Sequence, residues 1–174
     1  MDDLFKNKYR TQSSRLAVWD YGSNGQYFIT ICTAHRVPYF GQIADSRLIC
    51  TTIGDHAIQC WQSIPEHHPF VALDAFVLMP DHLHGILAIY KPEPSIWVGN
   101  KFEPQQRNLA TAVRGFKMAI TSFARTHSIE FNWQHGYHDR IIRNNTHLKT
   151  VRKYIKNNPA KWVNPIDKIS AGGL

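Results

Sequence analysis

The sequence predicts an α+β fold of the ferredoxin-like kind, a split βαβ (β-α-β-β-α-β) antiparallel sheet with one added C-terminal helix. Three observations carry this. Four short runs rich in β-branched and aromatic residues are interleaved with three stretches whose apolar residues recur at three- and four-residue steps. Two of the strand-like runs are separated only by Pro80 and Asp81, which is hairpin punctuation. No repeat at fixed spacing and no low-complexity tract interrupts the order.

Each element has its own justification. Residues 1–25 are polar and contain "SNG", so they read as an arm or loop before the domain at 26–162, and 163–174 reads as a tail. "QYFITICT" (26–33) is the first strand. Over 51–64, Ile53, Ala57, Cys60, Trp61 and Ile64 form a helical stripe that Pro65 should end. "FVALDAFVLM" (70–79) and "HLHGILAIY" (82–90) should pair antiparallel. The three prolines of 91–107 mark a loop, after which Leu109, Val113, Phe116, Ile120 and Phe123 share one face of a second helix capped by Asn108. A fourth strand lies within 133–143, and 146–159 is a third helix, capped by Thr146 and stopped by Pro159.

Composition narrows the function classes. The chain has 174 residues, 43% of them hydrophobic, enough for one domain with a proper core. No run of 18 or more apolar residues and no N-terminal apolar segment appears, which predicts a cytoplasmic protein without a membrane partner. Cys32, Cys50 and Cys60 lack CxxC spacing and read as small buried apolar residues. The net charge of +7 is unevenly placed: residues 1–106 hold 8 Lys/Arg against 10 Asp/Glu, and residues 107–174 hold 12 against 3. A concentrated positive region suits a polyanion, and equally describes a solvated basic face.

In "MPDHLHGIL" (79–87) the polar positions His82 and His84 are two apart, so both imidazoles project from one face of the strand while Leu83, Leu87 and Ile89 point toward the helices. That is a two-point clamp for a metal ion, which needs further ligands from elsewhere. An isolated HxH also describes surface histidines at a strand edge. On the third helix Tyr154 and Asn158 stand four residues apart, about 400° of turn, so they share nearly one face. Arg152, Lys153, Lys156 and Lys161 surround them with charge suited to a phosphate and to a phenolate, whose ordinary pKa is about 10. A tyrosine that only packs its ring is the plain alternative.

Together "VLMPDHLHGIL", "FKMAITSFA", "WQHGYHDRIIRN" and "YIKNNPAKW" resemble the HUH single-tyrosine transposases of small bacterial insertion sequences, and among them the REP-associated tyrosine transposases. The resemblance spans about residues 26–162 and includes element order. It implies that Tyr154 is the nucleophile and that His82 and His84 hold a divalent cation, Mg or Mn. In that superfamily a Gln one turn after the tyrosine completes the metal site, and Asn158 takes its place here, ahead of Pro159, which disfavours helical geometry. It also implies a bacterial, cytoplasmic enzyme that cleaves single-stranded or hairpin DNA through a 5′-phosphotyrosine and rejoins strands. With one tyrosine, excision requires a second subunit, a homodimer, or reuse of the residue.

Arg114 and Lys117 on the second helix, and Arg140 and Arg143 around the fourth strand, join Arg152, Lys153 and Lys156 as candidate DNA contacts. Trp133 or Tyr137 could stack on a base, though Trp133 is equally a core residue. His138 and Asp139 fit a site or a solvated strand end alike, and His67 and His68 carry no assigned role. Two competing functions are a non-catalytic ferredoxin-like nucleic-acid-binding module, which wants aromatics on the central strands where Tyr27 and Phe28 alone offer little and which leaves both histidines idle, and a hydrolase using His82, His84 and bound water.

Overall fold

Alternating side chains divide the central sheet into two faces. In the computed structural model, which describes residues 20–92 and 107–162, β1 (Gly25–Cys32) sends Tyr27, Ile29 and Ile31, all fully buried, to one side and Phe28, Thr30 and Cys32 to the other. A 3-10 turn (Ala34–Arg36) and a hairpin of β2 (Gly41–Ala44) and β3 (Arg47–Cys50) lead to α1 (Thr52–Gln62) and the short α2 (Ile64–His67). β4 (Val71–Met79) and β5 (His82–Ile89) follow, then α3 (Leu109–Thr126), β6 (His138–Ile142), α4 (Asn145–Asn157) and a 3-10 turn at Pro159–Lys161.

The sheet runs β4-β5-β1-β6 with every neighbouring pair antiparallel. Its first and third strands in chain order are the central ones, which is the ferredoxin-like α+β arrangement that the element order predicts. α1 and α3 cover one face, where Trp61, Val113, Phe116 and Ile120 pack with Leu83, Leu87 and Ile89. On the other face α4 sets Leu148, Val151 and Ile155 against Ile86 and Ile142 in a small separate core. As an added helix it fills the side that the two crossover helices leave open.

Several boundaries differ from the sequence expectation, each for a local reason. Residues 34–50 have no counterpart in the sequence reading: strands of four residues are too short to show a period, and Asp45 and Ser46 close the hairpin with positive φ (49° and 58°). Pro65 does not close the first helix. α1 ends at Gln62, and Pro65 sits in the first turn of α2, where its missing N–H is no loss. Asn144, rather than Thr146, caps α4, its side chain accepting from His147 N at 2.8 Å. Asn108 caps α3 as expected, accepting from Thr111 N at 3.0 Å. Of the N-terminal arm, the described residues 20–24 are a turn that brings Tyr21 into the core. The loop at 93–106 and the tail at 163–174 lie outside the described residues.

Gly85, in the middle of the histidine strand, answers to the Trp61 indole. A Cβ there would stand 2.3 Å from Cζ2 and 2.4 Å from Cη2 of a fully buried ring that also stacks on Phe76 at 4.7 Å. Neither the ring nor the central strand has room to move. Gly85→Ala is expected to lower unfolding stability by about 1–3 kcal/mol, the scale of an overpacked core, as measured by urea denaturation of the two proteins.

Candidate functional site

The face of β5 opposite Leu83 carries His82 and His84, and strand register sets what they meet. His84 lies between Val77 of β4 and Thr30 of β1, and His82 lies between Met79 and Cys32. α4 closes over this face because its apolar stripe needs Ile86 and Ile142, which puts Tyr154, on the flank of that stripe, above His84. The Tyr154 hydroxyl is 3.1 Å from His84 Nε2, and His84 Nε2 is 3.1 Å from His82 Nε2. Both histidines are buried, at 6% and 7% exposure, while Tyr154 keeps 44% of its surface open. Three polar atoms thus converge at the rim of the sheet.

The far side of each ring is also held. His82 Nδ1 makes a close hydrogen bond with Asp81 Oδ1, and Arg36 Nε lies 3.0 Å from Asp81 Oδ2. Thr30 Oγ1 stands 2.8 Å from His84 Nδ1. Phe28 stacks on His84 with ring centroids 5.4 Å apart and meets Tyr154 edge-on at 6.0 Å. The Trp162 ring is 6.0 Å from His82. Burial first, then the neighbouring His82 and Arg36, push the His84 imidazole down to about 3, against the upward pull of Asp81. His84 is therefore neutral at ordinary pH. A neutral ring with its proton on Nδ1, facing Thr30 Oγ1, presents its Nε2 lone pair to the Tyr154 O–H.

Asn158 follows one turn after Tyr154, half-buried, at the C-terminal end of α4. Its φ and ψ of −62° and −46° are helical in spite of Pro159, contrary to the preference expected before proline. Among the described residues no group of three or more His, Cys, Asp or Glu gathers as a metal cluster. Any cation held by the two imidazoles would complete its shell with other donors, of which the Asn158 amide is the candidate on the same helix.

No family model matches the chain. An uncharacterized protein of Haemophilus influenzae is 36% identical over 163 residues, which is 88% of this chain and 91% of that protein. The chain belongs to that protein's family. Among solved structures, the REP-associated tyrosine transposase bound to a REP hairpin matches with a TM-score of 0.61 at 17% identity, covering 88% of this chain and 76% of that one. That likeness is one of fold, and it extends to the antiparallel sheet with its helices.

The other residues singled out by the sequence divide among several places. Arg152 forks onto Asp74 of β4, with Nε donating to Oδ1 at 2.8 Å and Nη2 donating to Oδ2. Lys153 and Lys156 turn outward, exposed, on the side of α4 away from the small core. Arg140 is directly opposite Phe28, and His138 opposite Thr30, so both lie on the face of the sheet that bears the histidines; Arg143 is exposed just past β6. Arg114 and Lys117 belong to α3, across the sheet from Tyr154. Lys117 Nζ donates to the Gln134 and Gly136 carbonyls at 2.9 Å each, tying the 133–137 segment to α3. Trp133 is partly buried against the core, packed on Phe40, Phe116 and Phe131, and its Nε1 donates to Lys117 O. Thr30, Arg36 and Asp81 carry no site role in the sequence, and Phe28 enters it only as a possible stacking ring of the competing module. The parity of β1 could have marked Phe28 and Thr30, whereas Asp81 reads as turn chemistry.

The Asp74–Arg152 fork ties α4 to the edge strand, so it tests the support of Tyr154. Arg152 holds the Asp74 carboxyl below the usual carboxylate range, with burial opposing in part. A depressed carboxylate contributes stability that is fully present above its unfolded pKa of about 3.9 and is lost as pH falls through the lower folded value. The stability difference between the native chain and Asp74→Asn is therefore expected to be steady above about pH 5, to shrink as pH falls below the unfolded value, and to vanish once pH has passed the lower folded value. Urea titrations across that range measure it.

Proposed function

We propose that this chain is a transposase-like, metal-dependent single-stranded DNA endonuclease and strand transferase of the HUH single-tyrosine kind, acting at hairpins of repeated palindromic DNA. The observation that carries the reading is the Tyr154 hydroxyl 3.1 Å from His84 Nε2, with His82 Nε2 a further 3.1 Å from that atom. All three side chains come from one chain, so a second subunit is not needed to bring the tyrosine to the histidines. The fold shared with a transposase solved on a REP hairpin supports the choice of DNA as substrate.

His82, His84 and Asn158 would hold a divalent cation. The fit rests on two imidazoles that engage Asp81 and Thr30 through Nδ1 and turn both Nε2 atoms inward. The cation of this reading is Mg²⁺ or Mn²⁺, completed by oxygen donors beyond the two imidazoles. Bound there, the cation would neutralise and orient a non-bridging oxygen of the scissile phosphate. Tyr154 Oη forms a bond to phosphorus as the bond to the 3′ oxygen breaks in line, and the phenolic proton is balanced by the one gained on the released 3′-hydroxyl. The product is a 5′-phosphotyrosine. Its ester keeps the bond energy, so a second 3′-hydroxyl can reverse the step and join strands. Arg140, on the same face as Phe28, would meet a phosphate beyond the rim, and Lys153 and Lys156 would add positive potential from outside.

The non-catalytic module fits less well. Base stacking on an open sheet needs uncovered aromatics, whereas Tyr27 is fully buried and Phe28 lies against His84 and Tyr154. Incubation with labelled single-stranded hairpin DNA and Mn²⁺ should give a covalently shifted band on a denaturing gel. Tyr154→Phe is expected to abolish that band while hairpin binding survives, and His82→Ala or His84→Ala to slow its formation by about 100-fold or more, the scale of losing an electrostatic contact to the transition state. An undiminished adduct in Tyr154→Phe defeats the reading.

A further inference from the structure

We infer that Arg36 and Asp81 are positioning residues for His82: acting through one carboxylate, they hold its imidazole in the tautomer whose Nε2 lone pair faces His84. The purpose of this device rests on the proposed function, but its geometry does not. Asp81 is only 3% exposed and bridges two partners, with Oδ1 taking the His82 Nδ1–H and Oδ2 taking Arg36 Nε at 3.0 Å. An ionised carboxylate is an acceptor only, so a ring bonded to it through Nδ1 carries a proton there, and a neutral ring in that position has its lone pair on Nε2. The same logic orients histidine ligands in metal sites, where the outer partner sets both tautomer and ring angle.

The support behind Asp81 is built from backbone as well as side chains. Its main-chain carbonyl accepts from Thr33 N at 3.0 Å and from Thr33 Oγ1 at 2.9 Å, and Thr33 is fully buried. Phe40 N donates to the adjacent Pro80 carbonyl at 3.0 Å. Arg36 arrives from a turn in which His35 and Arg36 both adopt left-handed φ values of 52° and 58°, a region that disfavours L side chains. A second contact, Arg36 Nη1 to Cys32 Sγ at 2.9 Å, lays the guanidinium across the end of β1, where Cys32 is the register partner of His82. A residue serving only solubility would have no need of that backbone or of two inward contacts, and Arg36 keeps half its side chain exposed, so it can be replaced without opening the core.

The test reads the imidazoles directly. Long-range ¹H–¹⁵N correlation spectra of the metal-free protein at neutral pH should show His82 as a single tautomer with Nδ1 protonated and Nε2 bare. Arg36→Gln should mix the two tautomers and weaken Mn²⁺ binding, followed by electron paramagnetic resonance, by about 10-fold, and Asp81→Asn by up to about 100-fold, the range found for outer partners of metal-bound histidines. Arg36→Lys should recover part of both signals, since an ammonium can still reach the carboxylate. A native His82 that is not the Nδ1–H tautomer overturns the inference, as does an Arg36→Gln protein with an unchanged His82 spectrum or Mn²⁺ affinity within twofold of native. These outcomes are independent of DNA cleavage: a native protein that binds Mn²⁺ and shows the tautomer loss in Arg36→Gln yet forms no adduct sinks the proposed function and leaves the positioning role standing.

Discussion

Successive residues of a strand face opposite sides of a sheet, and in β5 both sides are already claimed. Leu83, Gly85, Leu87 and Ile89 must face α1 and α3, because Trp61 occupies the space above Gly85 and accepts no side chain there. His82, His84 and Ile86 then have only the other face. A slip of one residue would drive both imidazoles into a core of Trp61, Phe116 and Ile120, so the register of the histidines is enforced by apolar packing on the reverse of the strand. α4 reads the same register: Leu148, Val151 and Ile155 find Ile86 and Ile142, and Tyr154 follows because it neighbours that stripe.

Burying two histidines and an aspartate is costly unless each polar atom finds a partner. Here the partners form one chain, from Arg36 to Asp81, His82, His84 and Tyr154, with Thr30 on the side. Its middle link is unusual. If Asp81 and Thr30 occupy the two Nδ1–H groups, the inward Nε2 atoms are both acceptors only 3.1 Å apart, and the phenol offers a single proton between them. A purely structural role would be served at less cost by Val or Ile at 82 and 84, as at Val77 and Ile86 nearby. Convergent lone pairs beside a hydroxyl make sense where a cation and a phosphate are to be gathered, which is the physical content of the proposed chemistry.

How much of this was legible in the sequence follows the range of each interaction. Period two in 82–89 and the four-residue step from Tyr154 to Asn158 are local: the strand register puts both histidines on one face, and α4 carries Tyr154 one turn before Asn158. The order of strands and helices predicted the sheet, since short connections leave few arrangements. Thr30 and Phe28 enter the site only through which residue of β1 lies opposite His84 and Ile86, and register between distant strands is not written in either strand. In sequence Asp81 is fully accounted for as turn punctuation of a two-residue connection; its contact with the next residue's ring depends on a turn held by Thr33 and Phe40. Basic residues were the least legible. Charge alone does not distinguish Arg152, spent on Asp74, or Lys117, spent on two carbonyls, from Lys153 and Lys156, which face solvent.

The last turn of α4 shows how a local preference yields to packing. Pro159 biases its predecessor toward extended backbone, and an extended Asn158 would carry its amide away from the tyrosine. Instead Asn158 N donates to Ile155 O at 3.2 Å, Lys161 N donates to Asn158 O at 3.1 Å, and the chain passes from α-helix into a 3-10 turn without leaving helical geometry. Ile155, almost fully buried against Ile86, anchors that turn, and Trp162 beyond it comes back over His82. Asn158 is thereby kept about one turn from Tyr154 on the same flank of the helix. An amide one methylene shorter than glutamine has less reach, so its backbone must stay where the helix puts it if it is to serve the same centre as the two histidines.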